Sequence, residues 1–173
     1  MINIALAKGR LADDMLEKLR ALGIAFLDYS EKSRKLIFQD KTEKISIVLV
    51  KPSDVAIYVE KGACDMGVAG RDTLMEAKPD VYEMLDLGYG KCRFAVAAPQ
   101  GFVKIPNQKI RVATKYPNVA KSYFEKNGQQ IEIIKINGSV ELAPLMGLAD
   151  MIVDIVETGA TLKENGLEVL SEI

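Results

Sequence analysis

An acid, a run of small residues and the start of a helix follow one another in Met151-Ile-Val-Asp-Ile-Val-Glu-Thr-Gly-Ala-Thr-Leu162. Thr158, Gly159, Ala160 and Thr161 offer backbone N–H groups, hydroxyls and little bulk at a helix N-terminus, which is what a phosphate requires. Asp154 and Glu157 repel phosphate. They suit ribose hydroxyls, or a Mg²⁺ that accompanies a pyrophosphate. An ordinary helix cap draws on the same residue types, and spacing alone leaves cap and phosphate site level. The order acid, Thr-Gly-Ala-Thr, helix favours the ligand, because a cap needs only one of these residues.

A second group follows the apolar run Ile2–Ala7. Gly9 permits close backbone approach, while Lys8 and Arg10 can hold phosphates as a point charge and as a bidentate fork. Cations at a helix start are electrostatically unfavourable unless an anion is present. Glu141, in the first turn after Gly138-Ser139, reads equally well as a capping acid and as an acceptor for ribose. Ser33-Arg34-Lys35 reads, from the residues alone, as a solvated charged loop. Tyr116-Pro117-Asn118 after Lys115 reads as a turn opening a helix.

Composition removes other chemistries. The chain has no histidine, so Ser-His-Asp and Cys-His catalysis and His-ligated metals are out. Cys64 and Cys92 form no Cys-x-x-Cys pair and read as reduced thiols. Neither a Gly-x-x-x-x-Gly-Lys loop nor a strand followed by Gly-x-Gly-x-x-Gly is present. Lys+Arg is 23 against Asp+Glu 24, a net charge of −1, which argues against nucleic acid as the main partner. The Ile2–Ala7 run is too short for a signal-peptide core, and no apolar segment is long enough for a bilayer. A soluble cytoplasmic protein without membrane association is therefore expected.

These residues must be held by strands and helices in alternation. Ile2–Ala7 predicts a strand, and Leu11–Leu22, with Leu11, Met15, Leu16, Leu19 and Leu22 on one stripe, a helix closed by Gly23. Leu36–Gln39 and Ile45–Val50 predict a hairpin around the polar Asp40–Lys44. Ser53 is expected to cap a helix running to Lys61 and Gly62, and Asp72 to cap the helix after a buried strand Asp65–Ala69. Val81–Leu87 and Arg93–Ala98 read as further strands, and Pro99–Asn107 as a connector.

The pattern then restarts. Strand Ile110–Lys115, a helix closed by Gly128, strand Ile131–Ile136, a helix from Ser139 to near Gly147, and Ala149-Asp-Met-Ile-Val153 repeat the first half, including Cys64-Asp-Met-Gly-Val68. The repeat implies two α/β lobes with mainly parallel sheets, similar to periplasmic binding proteins, and ligands at the carboxyl ends of the strands in an inter-lobe cleft. The expected division is 1–92 for the first lobe, rejoined by about 165–173, and 93–164 for the second. A non-catalytic two-lobed binding protein for a phosphorylated small molecule fits this architecture too. A phosphoribosyltransferase of the more common fold fits less well, because only one acid, Asp154, stands where that fold pairs two.

Taken in order, Lys8-Gly-Arg10, Ser33-Arg-Lys35, Ala113-Thr-Lys-Tyr-Pro-Asn-Val119, Gly138-Ser-Val-Glu-Leu-Ala-Pro144 and Asp154–Leu162 with Asn165-Gly-Leu167 closely resemble the catalytic subunit of the short-form ATP phosphoribosyltransferases. The resemblance runs from Lys8 to the last residues. It implies transfer of the phosphoribosyl group of 5-phosphoribosyl-1-pyrophosphate to N1 of ATP, with release of pyrophosphate, as the first step of histidine biosynthesis. It implies Mg²⁺ as cofactor, with no metal ligands assigned. By resemblance, Asp154, Glu157, Thr158, Gly159, Ala160, Thr161 and Glu141 bind the phosphoribosyl pyrophosphate. Arg10 and Arg34 serve ATP and the pyrophosphate, with Lys8, Gly9 and Lys35 beside them. The resemblance further implies a homodimer within a hetero-oligomer that contains a histidyl-tRNA-synthetase-like regulatory subunit.

Overall fold

A computed structural model of the chain describes residues 1–30, 33–42, 44–105 and 108–173. The expected Asp40–Lys44 loop and Pro99–Asn107 connector fall partly outside these, at Glu43, Pro106 and Asn107. The chain divides into two compact units, Met1–Gly90 and Lys91–Ile173. No helix among the described residues is long and apolar enough to cross a membrane.

The first unit is built on β1 (Ile2–Ala7), β2 (Ile37–Gln39), β3 (Ile45–Val50) and β4 (Met66–Val68), in the sheet order β2-β3-β1-β4. β1 is parallel to β3 and β4, and β2 is antiparallel to β3. Helix α1 (Arg10–Ala21) covers one face through Ala12, Leu16 and Leu19, packed on Ile4, Leu6, Phe38, Ile47 and Leu49. Helix α2 (Val55–Glu60) covers the other, where Val55 meets Ala5, Ala7 and Cys64. The period-2 alternation in β3 therefore serves both faces. Ser53 does not cap α2. It lies in a 3-10 turn, Pro52–Asp54, and its hydroxyl donates to the Asp54 carboxylate (2.8 Å), leaving Asp54 as the cap residue. Gly70, in place of Asp72, is the cap residue of α3 (Arg71–Ala77).

Val81–Leu87 is not a strand. The sheet ends at β4, and among the described residues no strand pairs with this segment. An extended run without a ladder partner has no backbone bonds to regularise it. Tyr82, Met84 and Leu85 consequently stand 92%, 86% and 78% exposed.

The hairpin turn is organised by Asp40, a buried acid. Its carboxylate accepts from the Thr42 hydroxyl (2.6 Å) and from the backbone N–H groups of Thr42, Lys44 and Ile45 (3.0, 3.0 and 2.8 Å). The Thr42 hydroxyl, then the Ile45 amide, hold its pKa down at about 2, from an ordinary 3.8. The folded value lies below the unfolded one. The stabilisation is thus present above the unfolded value and is lost as pH falls through about 2. Amide exchange at Lys44 and Ile45, corrected for intrinsic rates, should accelerate across that acid range. In Asp40→Ala it should already be fast at neutral pH. Wild-type protection persisting in the variant would remove this account of the turn.

The second unit carries β5 (Arg93–Pro99), β6 (Ile110–Thr114), β7 (Ile131–Lys135), β8 (Met151–Val156) and β9 (Leu167–Glu172), ordered β7-β6-β8-β5-β9. The β7-β6-β8 part is parallel, while β5 runs antiparallel to both β8 and β9, so the sheet is mixed. Helix α4 (Pro117–Lys126) packs Val119, Ala120 and Phe124 on one face. Helices α5 (Leu142–Leu145) and α6 (Ala160–Glu164) place Ala143 and Leu162 on the other. Ser139 does not start α5: it sits at φ 49°, and the helix is a single turn beginning at Leu142. The residues expected to rejoin the first lobe from about 165 form β9 instead. They complete the open edge of β5, bury Leu167 and close with the Ile173 amide donating to the Phe94 carbonyl (2.9 Å).

The internal repeat extends to individual hydrogen bonds. The Asp65 carboxylate accepts the Asn3 amide (2.7 Å), and the Asp65 amide donates back to the Asn3 carbonyl (2.9 Å). Asp150 makes the same exchange with Arg111 (2.8 and 2.9 Å). Helices α1 and α4 end alike, Ile24 N–H on Leu19 O and Gln129 N–H on Phe124 O, after Gly23 and Gly128 in left-handed conformation.

Candidate active site

In the first unit, β1 delivers Lys8 and Gly9 to the start of α1, with Arg10 as its first residue. Gly9 has φ 105° and ψ −161°, backbone that side chains avoid, although an added Cβ would meet nothing within 4 Å. Glycine is thus required there by conformation rather than by space. Its carbonyl accepts the Ala12 amide (2.8 Å), so the turn is locked onto the helix.

Arg34 and Lys35 reach the same end of the sheet by a different route. Because β2 is antiparallel to β3, the residues preceding β2 lie beside the carboxyl end of β3, and the Leu49 amide donates to Leu36 O (2.7 Å). The carboxyl edge of β3-β1 and the entry to β2 thereby collect Lys8, Arg10, Arg34, Lys35 and Lys51. Two strand spacings, roughly 10 Å, separate β2 from β1. Lys35 has a local partner: its ammonium pairs with Asp28, which that hydrogen bond holds below the usual carboxylate range, and it stands 5.2 Å from the Phe38 ring centre. Arg34 is exposed. The placement of Arg34 is what residue-by-residue reading missed. The signal was the hairpin itself, whose antiparallel turn returns its leading residues to the carboxyl end of β3.

In the second unit the carboxyl end of β8 carries Asp154, half-buried, whose carboxylate accepts the Ile155 amide (2.8 Å). After Val156 come Glu157 and Thr158, then Gly159 in left-handed conformation (φ 81°) as the cap residue of α6. The Thr158 hydroxyl accepts the Ala160 amide at 3.3 Å, and Asn165 closes the helix on the Thr161 carbonyl (2.9 Å). The helix starts at Ala160, within the Thr-Gly-Ala-Thr run, because Gly159 makes the turn. Glu141 is the cap residue of α5, after β7, so β8 and β7 bring Asp154, Glu141 and Thr158–Thr161 to one end of one sheet. Lys115, leaving β6 between them, has its Nζ 5.6 Å from the Tyr116 ring centre. No group of three or more acidic or cysteine residues suited to hold a metal alone occurs among the described residues.

Two α/β units, each with ligand-type residues at the carboxyl ends of parallel strands, define the class of bilobal α/β proteins built like solute-binding proteins. An ancestral arginine-binding protein bound to arginine matches with TM-score 0.60 at 13% identity, over 99% of this chain and 79% of that one. At that identity it shows the fold alone.

The sequence narrows the class to one family. The description HisG: ATP phosphoribosyltransferase matches residues 51–173. The chain is 56% identical over 173 residues to an ATP phosphoribosyltransferase of Clostridioides difficile (strain 630), covering 99% of this chain and 83% of the relative. It is 54% identical to one of Oceanobacillus iheyensis, with the same coverage. An ATP phosphoribosyl transferase (HisG:HisZ) complex from Thermotoga maritima matches with TM-score 0.87 and 40% identity, over 100% of this chain and 83% of that one. The chain belongs to the ATP phosphoribosyltransferase family, in its short form, and is a pentosyltransferase acting at the first step of histidine biosynthesis.

Proposed function

We propose that the two units divide the substrates. The loop Asp154–Thr161 with Glu141 holds the phosphoribosyl half of 5-phosphoribosyl-1-pyrophosphate. Lys8, Gly9, Arg10, Arg34 and Lys35 serve ATP and the departing pyrophosphate. The observation that carries this reading is the sorting of charge: the first sheet's ligand end collects cations, and the second sheet's combines carboxylates with a Thr-Gly-Ala-Thr turn.

That sorting matches the chemistry. Adenine N1 needs no strong base to attack, so the absence of histidine costs nothing. The sugar carbon acquires oxocarbenium character as pyrophosphate leaves, and cations at the leaving group lower that barrier. Alignment of two anionic substrates is the other contribution. Mg²⁺ fits as an ion carried largely by the pyrophosphate, because it retains waters and needs only one or two protein carboxylates, which Asp154 and Glu157 can provide. When bound, it neutralises leaving-group charge. The HisG:HisZ complex of the Thermotoga relative supports a regulatory partner; we propose further that this partner is a histidyl-tRNA-synthetase-like subunit bound to a homodimer of this chain.

The test is growth of phosphoribosyl-ATP absorbance on mixing the chain and its regulatory partner with ATP, Mg²⁺ and the sugar pyrophosphate. Thr161→Val should raise KM for the sugar pyrophosphate about tenfold while leaving that for ATP nearly unchanged, as expected for one lost hydrogen bond to an anion. Equal weakening toward both substrates would show that the loop is misassigned.

A further inference from the structure

Arg93 opens β5, and its partner in the antiparallel ladder is Val156, the last residue of β8 before the Glu157–Gly159 turn. By register it is an arginine set directly against the entry to that turn. Side chains alternate along β5: Phe94, Val96 and Ala98 enter the core beneath α4, whereas Ala95 and Ala97 enter the one beneath α5 and α6. Arg93 shares parity with Ala95 and Ala97. Along β8, Asp154 shares parity with Ile152 and Val156, which pack in that same second core. Arg93 and Asp154 are therefore diagonal neighbours on one face, at the end where α6 begins.

Its visible partner is a surface one. Arg93 Nε lies 2.7 Å from a Glu172 carboxylate oxygen, with the two side chains 43% and 62% exposed. Exposed pairs of this kind contribute little to stability, and a guanidinium bound through Nε still presents a second edge. We propose that Arg93 is a further substrate-binding residue, whose guanidinium binds a phosphate oxygen of the phosphoribosyl pyrophosphate held by the adjoining turn. This rests on the assignment of the Asp154–Thr161 loop to that substrate.

Calorimetric titration of the full chain with 5-phosphoribosyl-1-pyrophosphate and Mg²⁺, and separately with ATP, tests it. Arg93→Gln should weaken the sugar pyrophosphate about tenfold and leave ATP unchanged, the effect of losing one charge-assisted hydrogen bond. Arg93→Lys should recover part of the loss, and Glu172→Gln should bind as wild type. If Arg93→Gln binds normally while Thr161→Val is weakened, Arg93 is excluded and the loop assignment stands. If both bind normally, the loop assignment itself falls. If Glu172→Gln and Arg93→Gln lower affinity and melting temperature alike, the pair is structural and the proposal is overturned.

Discussion

Turnover is expected to fall by about two to three orders of magnitude in Arg10→Ala and in Arg34→Ala, the range seen when one preorganised charge donor is removed from a transition state. The argument starts from position. Both side chains are exposed, Arg10 at the first residue of α1 and Arg34 ahead of β2, so neither belongs to a core. Surface replacements of this kind change stability by within about 0.5 kcal/mol. A large kinetic effect with a small thermal one is the signature of a charge aimed at substrate. Because the charge to be neutralised grows as pyrophosphate departs, the loss should fall on kcat more than on KM for ATP. Lysine at either position should restore only part of the rate, since it keeps the charge but loses the planar fork. Steady-state kinetics with the regulatory partner, beside melting curves, decides the matter. Unchanged turnover in both alanine variants would remove the arginines from the reaction.

Different parts of this molecule were legible in the sequence to different degrees. Regular alternation of apolar runs with amphipathic stripes located β1, α1, β3, β6 and β8, because buried strands and one-sided helices leave periodicities that propensity alone does not blur. The duplicated Asp-Met pair announced the repeat, and the matching amide–carboxylate exchanges at Asp65 and Asp150 show why it persists: that aspartate pins the start of one parallel strand to the next. Arg34 was legible only through the family resemblance. Its charge is ordinary, and it is the antiparallel return of β2 that carries it to the carboxyl end of β3. Val81–Leu87 was misread for a related reason. An apolar extended run looks the same whether or not a neighbour exists to pair with it, and pairing is non-local information. The antiparallel placement of β5 and β9 was hidden likewise, since strand direction is set by connections across the whole unit rather than by local pattern.

The repeat also predicts where the two units cannot be interchanged. Gly67 lies opposite Ala5 in the β1–β4 ladder, and Ile152 lies opposite Ala113 in the β6–β8 ladder, so the two occupy the same place in their units. What differs is the covering helix. A Cβ on Gly67 would stand 2.6 Å from Val55 Cγ1 and 3.0 Å from Val59 Cγ2, both on α2. Val55 is 1% exposed and, being β-branched, has little rotamer freedom with which to yield. Over Ile152, by contrast, α5 presents Ala143, which leaves room for the longer side chain. Gly67→Ala should therefore destabilise the first unit by about 1–3 kcal/mol through overpacking, less roughly 0.5–1 kcal/mol regained because alanine orders more cheaply than glycine. Ile152→Gly should cost the second unit more, about 3–5 kcal/mol, because it leaves a cavity and adds glycine's entropy to a buried strand. Urea unfolding followed by a probe in each unit would separate the two. The packing argument also requires non-additivity: Val55→Ala in the Gly67→Ala background should recover part of the loss, since the two substitutions share one contact. If Gly67→Ala proved as stable as wild type, α2 would have to ride further from β4 than the 2.6 Å approach allows, and the glycine would need another explanation.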